Sequence, residues 1–180
     1  EVAYLGNESL LNHKLLAIVG DPMASKLGTI VADLATPALD PAKHALLVEI
    51  GEGCSWFTAT TSAAALAAAL ANNIPVVGVL ASSLATVNKG EAEAIAAVVA
   101  AGGLVVALTT NATSASARTR SERSAVVASL ANVVVVGCGH LYSKTYNVLE
   151  AVAAKGTPII VAKPKVAAPT ELSAIISKAK

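Results

Sequence analysis

The sequence predicts an α/β fold: a Rossmann-like, doubly wound, mostly parallel six-stranded sheet with helices on both faces. Three observations carry that expectation. Six short runs are rich in Val, Ile and Leu without polar alternation, the pattern of strands covered on both faces. Helical patterns stand between them, and parallel neighbours need helical crossovers. The chain is 54% hydrophobic but only 3% aromatic, and much of the apolar share is Ala and Val, so Ala-faced helices must lie close on a Val/Ile sheet.

Each element follows in order. Strand Lys14 to Val19 stops on Gly20 and leads to Ser25, which caps a helix to Ala35. Strand Ala45 to Ile50 is followed by an Ala-rich helix, Ser62 to Ala71, in the residue most favourable to helices. Strand Pro75 to Leu80 precedes helix Lys89 to Ala101, which ends before Gly102. Strand Leu104 to Leu108 precedes helix Ser121 to Ala131, and strand Val133 to Val136 precedes helix Ser143 to Lys155, closed by Gly156. Strand Pro158 to Ala162 is the last, and Pro169 introduces a helix Thr170 to Lys180. With 180 residues the length suits one domain, read as an N-terminal extension (1–13), a core (14–165) and a C-terminal helix (166–180).

Composition narrows the classes. Cys54 and Cys138 are far apart, without the paired spacing of a disulfide framework, and the chain's first residues are acidic where a signal peptide needs basic ones; a reducing cytoplasm is the expectation. The longest uncharged stretches, 94–117 and 124–142, each split into helix-like and strand-like halves rather than one membrane span, despite a mean hydropathy of +0.64. Net charge is +1, unevenly spread. From Thr109 onward nine basic residues face three acidic ones (+6), against four and nine before it (−5). Such halves fit either a basic binding face or scattered solvated lysines.

In an open parallel sheet, ligands sit beyond the carboxyl ends of the strands, beside helix N-termini that attract anions. The residues that follow each strand are therefore the candidates. They are Gly20, Asp21 and Ser25 in "IVGDPMAS"; Gly51, Ser55 and Thr60 in "GEGCSWFTATTS"; Ser82; and Gly137, Gly139, Ser143 and Thr145 in "GCGHLYSKT". Two of these stretches begin as G-x-G without a third glycine, and Pro22 stands in the first loop, so a phosphate or sugar fits better than a conventional NAD site. Arg118, Arg120 and Arg123 in "ATSASARTRSERS", with Lys144, are the candidate phosphate contacts. The arginines equally suit a solvated helix start. Cys54, Cys138 and His140 lack metal spacing, and no metal or cofactor is expected. His13 and His44 flank strand starts and read as structural; Trp56 either stacks on a base or covers the sheet end.

The order of the pieces resembles the Rossmann-like domain of the DNA-processing protein A (DprA/Smf) family, within the wider lysine-decarboxylase-like nucleotide-binding group. "YLGNESLL" is similar to the family's Leu-x-x-x-Gly-Asn segment, and "IVGDPMAS" keeps Gly20 and Ser25 of V-G-S-R-x-x-S. "SWFTATTSAAAL" keeps Ser55 and Ala65 of S-G-x-A-x-G-I-D-x-x-A-H, with Thr60, Ser62 and Leu66 replacing glycine, aspartate and histidine. "RSERSAVVASLA" keeps Arg123 of the R-N-R pair, with Ala125 for the second arginine; "SKTYNVLE" and "GTPIIVAKP" follow in family order. The resemblance implies a cytoplasmic homodimer that binds single-stranded DNA and helps load a recombinase. Contact chemistry departs from the pattern, because the first-loop arginine and half of the R-N-R pair are absent. The Pro-Gly-Gly-x-Gly-Thr loop of related phosphoribohydrolases is missing, which argues against an enzyme. The reading is a DprA-like domain that binds a phosphate-bearing ligand, single-stranded DNA first; a nucleotide-sensing module and a scaffold with a decayed pocket are the alternatives.

Overall fold

The computed structural model describes residues 2–20, 30, 32–51, 60–138 and 144–161. Seven strands form one sheet: β1 (Ala3–Gly6), β2 (Lys14–Gly20), β3 (His44–Ile50), β4 (Val76–Leu80), β5 (Leu104–Ala107), β6 (Val133–Cys138) and β7 (Ile159–Val161). Four helices among the described residues are α1 (Thr61–Ala71), α2 (Lys89–Ala100), α3 (Ala117–Leu130) and α4 (Lys144–Ala154). Residues 32–35 are also helical and run into a 3-10 turn at Thr36–Ala38.

The strand order is β1-β5-β4-β3-β2-β6-β7. Every neighbouring pair is parallel except β1 with β5. The six expected strands are all present. The seventh, β1, corrects the count: the stretch read as an extension adds an antiparallel edge, with Ala3 opposite Ala107 and Gly6 opposite Leu104. Gly6 makes this possible, since its φ is +101° and a Cβ there would run into the Gly103 carbonyl. Asn7 continues the turn: its N–H donates to the Gly103 carbonyl at 3.0 Å, and its Oδ1 accepts from Ser9 N–H at 3.1 Å.

Alternate residues of each strand feed two separate cores. Leu16, Ile18, Leu46, Val48 and Ile50 pack with Ala65, Leu66 and Ala69 of α1 and Ile95 and Val98 of α2. Leu15, Ala17, Leu47, Val77 and Val79 pack with Val127 and Ala128 of α3 and Val148 and Val152 of α4 on the other face. The chain works outward from β2 to β5 with helices on one face, then returns to β6 and β7 with helices on the other. Right-handed crossovers demand this change of face when the direction reverses. The reversal lies between β2 and β6. Asn132 pins that pair at its entrance, accepting from Leu15 N–H at 2.7 Å and donating its own N–H to the Leu15 carbonyl at 2.8 Å.

Candidate functional site

The carboxyl ends of β2 and β6 form the crevice where helices leave to opposite faces, the place where open α/β sheets hold ligands. Gly20 pairs with Cys138 there, and the register shifts between Val19 and Gly20, an irregularity of the kind that re-aims backbone beside a site. Gly137 is buried in β6 on the same rim, and Lys144 and Thr145 open α4 just beyond it. Asp21, Ser25, Ser55, Gly139 and Ser143 lie outside the described residues, as do Pro22, Cys54, Trp56 and His140.

Beside the crevice, Thr60 caps α1: its Oγ1 accepts from Ala63 N–H at 3.2 Å, so the helix starts before the expected Ser62. The same rim carries α3, which begins at Ala117 rather than Ser121. Ser116 is the reason. Its Oγ accepts from Thr119 N–H at 3.2 Å and the Thr119 hydroxyl accepts from Ser116 N–H at 2.8 Å, a reciprocal cap. Arg118 and Arg120, expected on a Ser-rich loop, therefore stand on the first turn of a helix.

The three arginines do different things. Arg118 is exposed and pairs with Glu122 one turn on, Nε to Oε1 at 2.8 Å, a hydrogen bond that with the carboxylate's charge pushes its pKa up. Arg120 lines a cleft of about 250 Å³ with Ser121 and Ser124, floored by Val148 of α4. Arg123 turns inward. Its Nη1 donates to the Ile50 carbonyl at 2.8 Å and its Nη2 to Glu49 Oε2 at 3.0 Å, while Ser124 Oγ donates to Glu49 Oε1 at 2.6 Å. The Arg123 side chain is 12% exposed and lies over Gly51, where a Cβ would strike it. Arg123 thus braces the end of β3, and its fork is engaged within the protein rather than held out to a phosphate. Gly51 serves the guanidinium in the same way.

Ser82 is also turned inward, 1% exposed, with its hydroxyl 3.5 Å from Glu91 Oε2. Glu91 caps α2 reciprocally with Asn88 and is itself buried. The following turn holds the loop that leads to α3: Ser83 N–H donates to the Thr113 carbonyl at 2.9 Å, and the Thr86 hydroxyl donates to it at 2.7 Å. Sequence reasoning did not pick out Glu49, Ser124 or Glu91. Glu49 was the one with a signal, an acidic residue inside an apolar strand. Among the described residues no group of three His, Cys, Asp or Glu side chains could hold a metal, and no helix is long and apolar enough to cross a membrane.

Comparison with known proteins gives a consistent picture. Residues 2–174 match the family model for DNA recombination-mediator protein A. The structure is similar to DNA processing protein A (DprA) from Streptococcus pneumoniae, with a TM-score of 0.76 at 20% identity, covering 99% of this chain and 62% of that one. It is also similar to DNA processing protein A from Helicobacter pylori, a protein described for its single-stranded DNA binding mode, with a TM-score of 0.69 at 15% identity, covering 99% of this chain and 80% of that one. The chain spans about three fifths of the length of the Streptococcus protein. No curated protein sequence matches it. The motifs, the sheet and its switch point, and the family match agree, and the chain belongs to the DNA recombination-mediator protein A family.

Proposed function

We propose that this chain is a non-enzymatic, cytoplasmic, homodimeric DNA-processing domain that binds single-stranded DNA by its phosphates at the carboxyl rim of the sheet. The observation that carries this reading is the place of Arg118 and Arg120, on the first turn of α3 beside the β2/β6 crevice, with Lys144 opening α4. Helix starts add a positive dipole end to those cations. Gly20, Thr60, Gly137 and Thr145, with Asp21, Ser25, Ser55, Gly139 and Ser143 from the sequence, complete the proposed rim. Arg123, Gly51 and Ser82 act behind it as positioning residues. The single-stranded DNA bound by the Helicobacter relative supports the choice of ligand.

The exposed Arg118–Glu122 pair is no obstacle, because exposed ion pairs are worth only about 0–1 kcal/mol and give way to a phosphate at little cost. The test is fluorescence anisotropy with a labelled oligothymidylate at low salt. Binding by the natural chain and by Lys43→Ala, on the opposite rim, is expected. Loss of binding in Arg118→Ala/Arg120→Ala/Lys144→Ala is the matching outcome. Equal binding by the triple variant, or none by the natural chain, rejects the reading.

A further inference from the structure

At the other end of the sheet the entrances of β2 and β3 frame a second cleft, about 510 Å³, whose walls include His13, Lys14, Asp40, Lys43 and His44. We propose that this cleft binds a phosphate-type oxyanion, either inorganic phosphate or the phosphate monoester of a nucleotide. Its frame is built from hydrogen bonds. Lys43 N–H and His44 N–H both donate to the Asp40 carbonyl, at 3.0 and 2.8 Å, and Lys14 N–H donates to the Lys43 carbonyl at 2.9 Å. The register places Lys14 directly beside His44 on adjacent strands. Two cations and two imidazoles are thereby gathered by backbone, not by chance side-chain positions.

The chemistry favours an anion. Asp40 N–H donates to His44 Nδ1 at 2.9 Å, which fixes the neutral ring with its proton on Nε2, a donor. His13 Nδ1 is buried and has no hydrogen-bond partner among the described residues. Asp40, the one carboxylate among the described lining residues, is already engaged: Oδ1 accepts from Ala42 N–H at 3.0 Å, and Oδ2 lies 3.4 Å from Lys43 Nζ. That pair is exposed and therefore readily exchanged. Burial lowers the His44 pKa, Asp40 opposes this, and Lys14, Lys43 and His13 add to it, so cations outnumber the anion around the ring. An oxyanion entering the cleft would reverse that field and push the His44 pKa back up.

The measurement is NMR of the His13 and His44 ring protons, titrating the chain with inorganic phosphate, with AMP, and with chloride at matched ionic strength. Phosphate is expected to shift both rings saturably and raise the His44 pKa, while chloride does neither. AMP binding no tighter than phosphate assigns the free ion; tighter binding assigns a nucleotide, and either supports the site. Lys43→Glu, at a side chain 75% exposed and so harmless to the fold, is expected to weaken phosphate by about tenfold or more, the worth of one charged hydrogen bond. A chloride response equal to phosphate, or an unchanged Lys43→Glu titration, overturns the proposal. The Arg118→Ala/Arg120→Ala/Lys144→Ala variant should still give the phosphate response, which separates this site from the DNA rim.

Discussion

Arg123 joins α3 to β3 through one guanidinium, and the partners show what its loss would do. Glu49 is 23% exposed, and without Arg123 its carboxylate loses the guanidinium while the Ser124 hydroxyl still donates to it. Breaking a partly buried pair costs less than the ~3–5 kcal/mol of a fully buried one, so Arg123→Ala is expected to lower stability by about 2 kcal/mol in urea unfolding. Pairing it with Glu49→Gln should restore part of that loss. Additive losses in the double variant would show that the two side chains do not act together. His44 gives a prediction in pH. Its folded pKa lies below the ordinary value near ~6.5, so the unfolded chain binds the proton more readily. Stability should therefore hold above about pH 6.5 and fall as the pH drops through that value toward the folded pKa. Protonation also turns Nδ1 into a donor facing the Asp40 N–H, ending that bond. His44→Gln should flatten the slope of melting temperature between about pH 7 and pH 5, where His is the side chain that ordinarily titrates.

Helix α3 shows how a cap decides where charge is presented. The Ser116–Thr119 pair starts the helix four residues before the Ser121 that the sequence suggests, and that shift moves Arg118 and Arg120 from loop to helix. Ser116→Ala should cost about 1 kcal/mol of stability, the usual worth of a cap, and weaken the proposed DNA binding as the first turn frays. Calorimetry and anisotropy on the one variant would read both. At the far edge, Gly6→Ala places a Cβ against the Gly103 carbonyl at a positive φ, with an expected loss of about 1–2 kcal/mol. Strand β1 and the first turn of α3 are what the sequence did not reveal, and for physical reasons. Strand β1 is four residues long, too short for a period, and its partner β5 lies about a hundred residues away. The α3 cap has Thr at the position where Glu or Gln usually signals a capping box. By contrast, β2 to β7 were legible because each carries a run of Val, Ile and Leu, buried in β2 to β6 on both faces, and Gly102 and Gly156 end helices with φ of +75°. The candidate site was legible as a set of strand ends. Which side chains point outward was not, because the inward turn of Arg123 and Ser82 depends on Glu49 and Glu91, residues brought near only by the fold.

At the scale of the whole molecule, the sheet separates two charge environments. The rim with the switch point receives Arg118, Arg120 and Lys144 from helices that follow β5 and β6, in the +6 portion of the chain. The opposite rim gathers Lys14, Lys43 and the two histidines from strand entrances. A single-stranded ligand held by phosphates makes this division measurable, because each neutralised phosphate contributes about −0.7 to the slope of log K against log salt. Three contacts on one rim predict a slope near −2 for a short oligothymidylate, and removing all three cations should flatten it by about the same amount. In a homodimer, an oligonucleotide long enough to reach the carboxyl rims of both protomers should double the slope to about −4, whereas a monomer keeps the short-ligand value at every length. Anisotropy across a salt series with two ligand lengths, beside sedimentation of the free chain, decides between them. A slope unchanged by Arg118→Ala/Arg120→Ala/Lys144→Ala would place the phosphate contacts elsewhere, whatever the affinity.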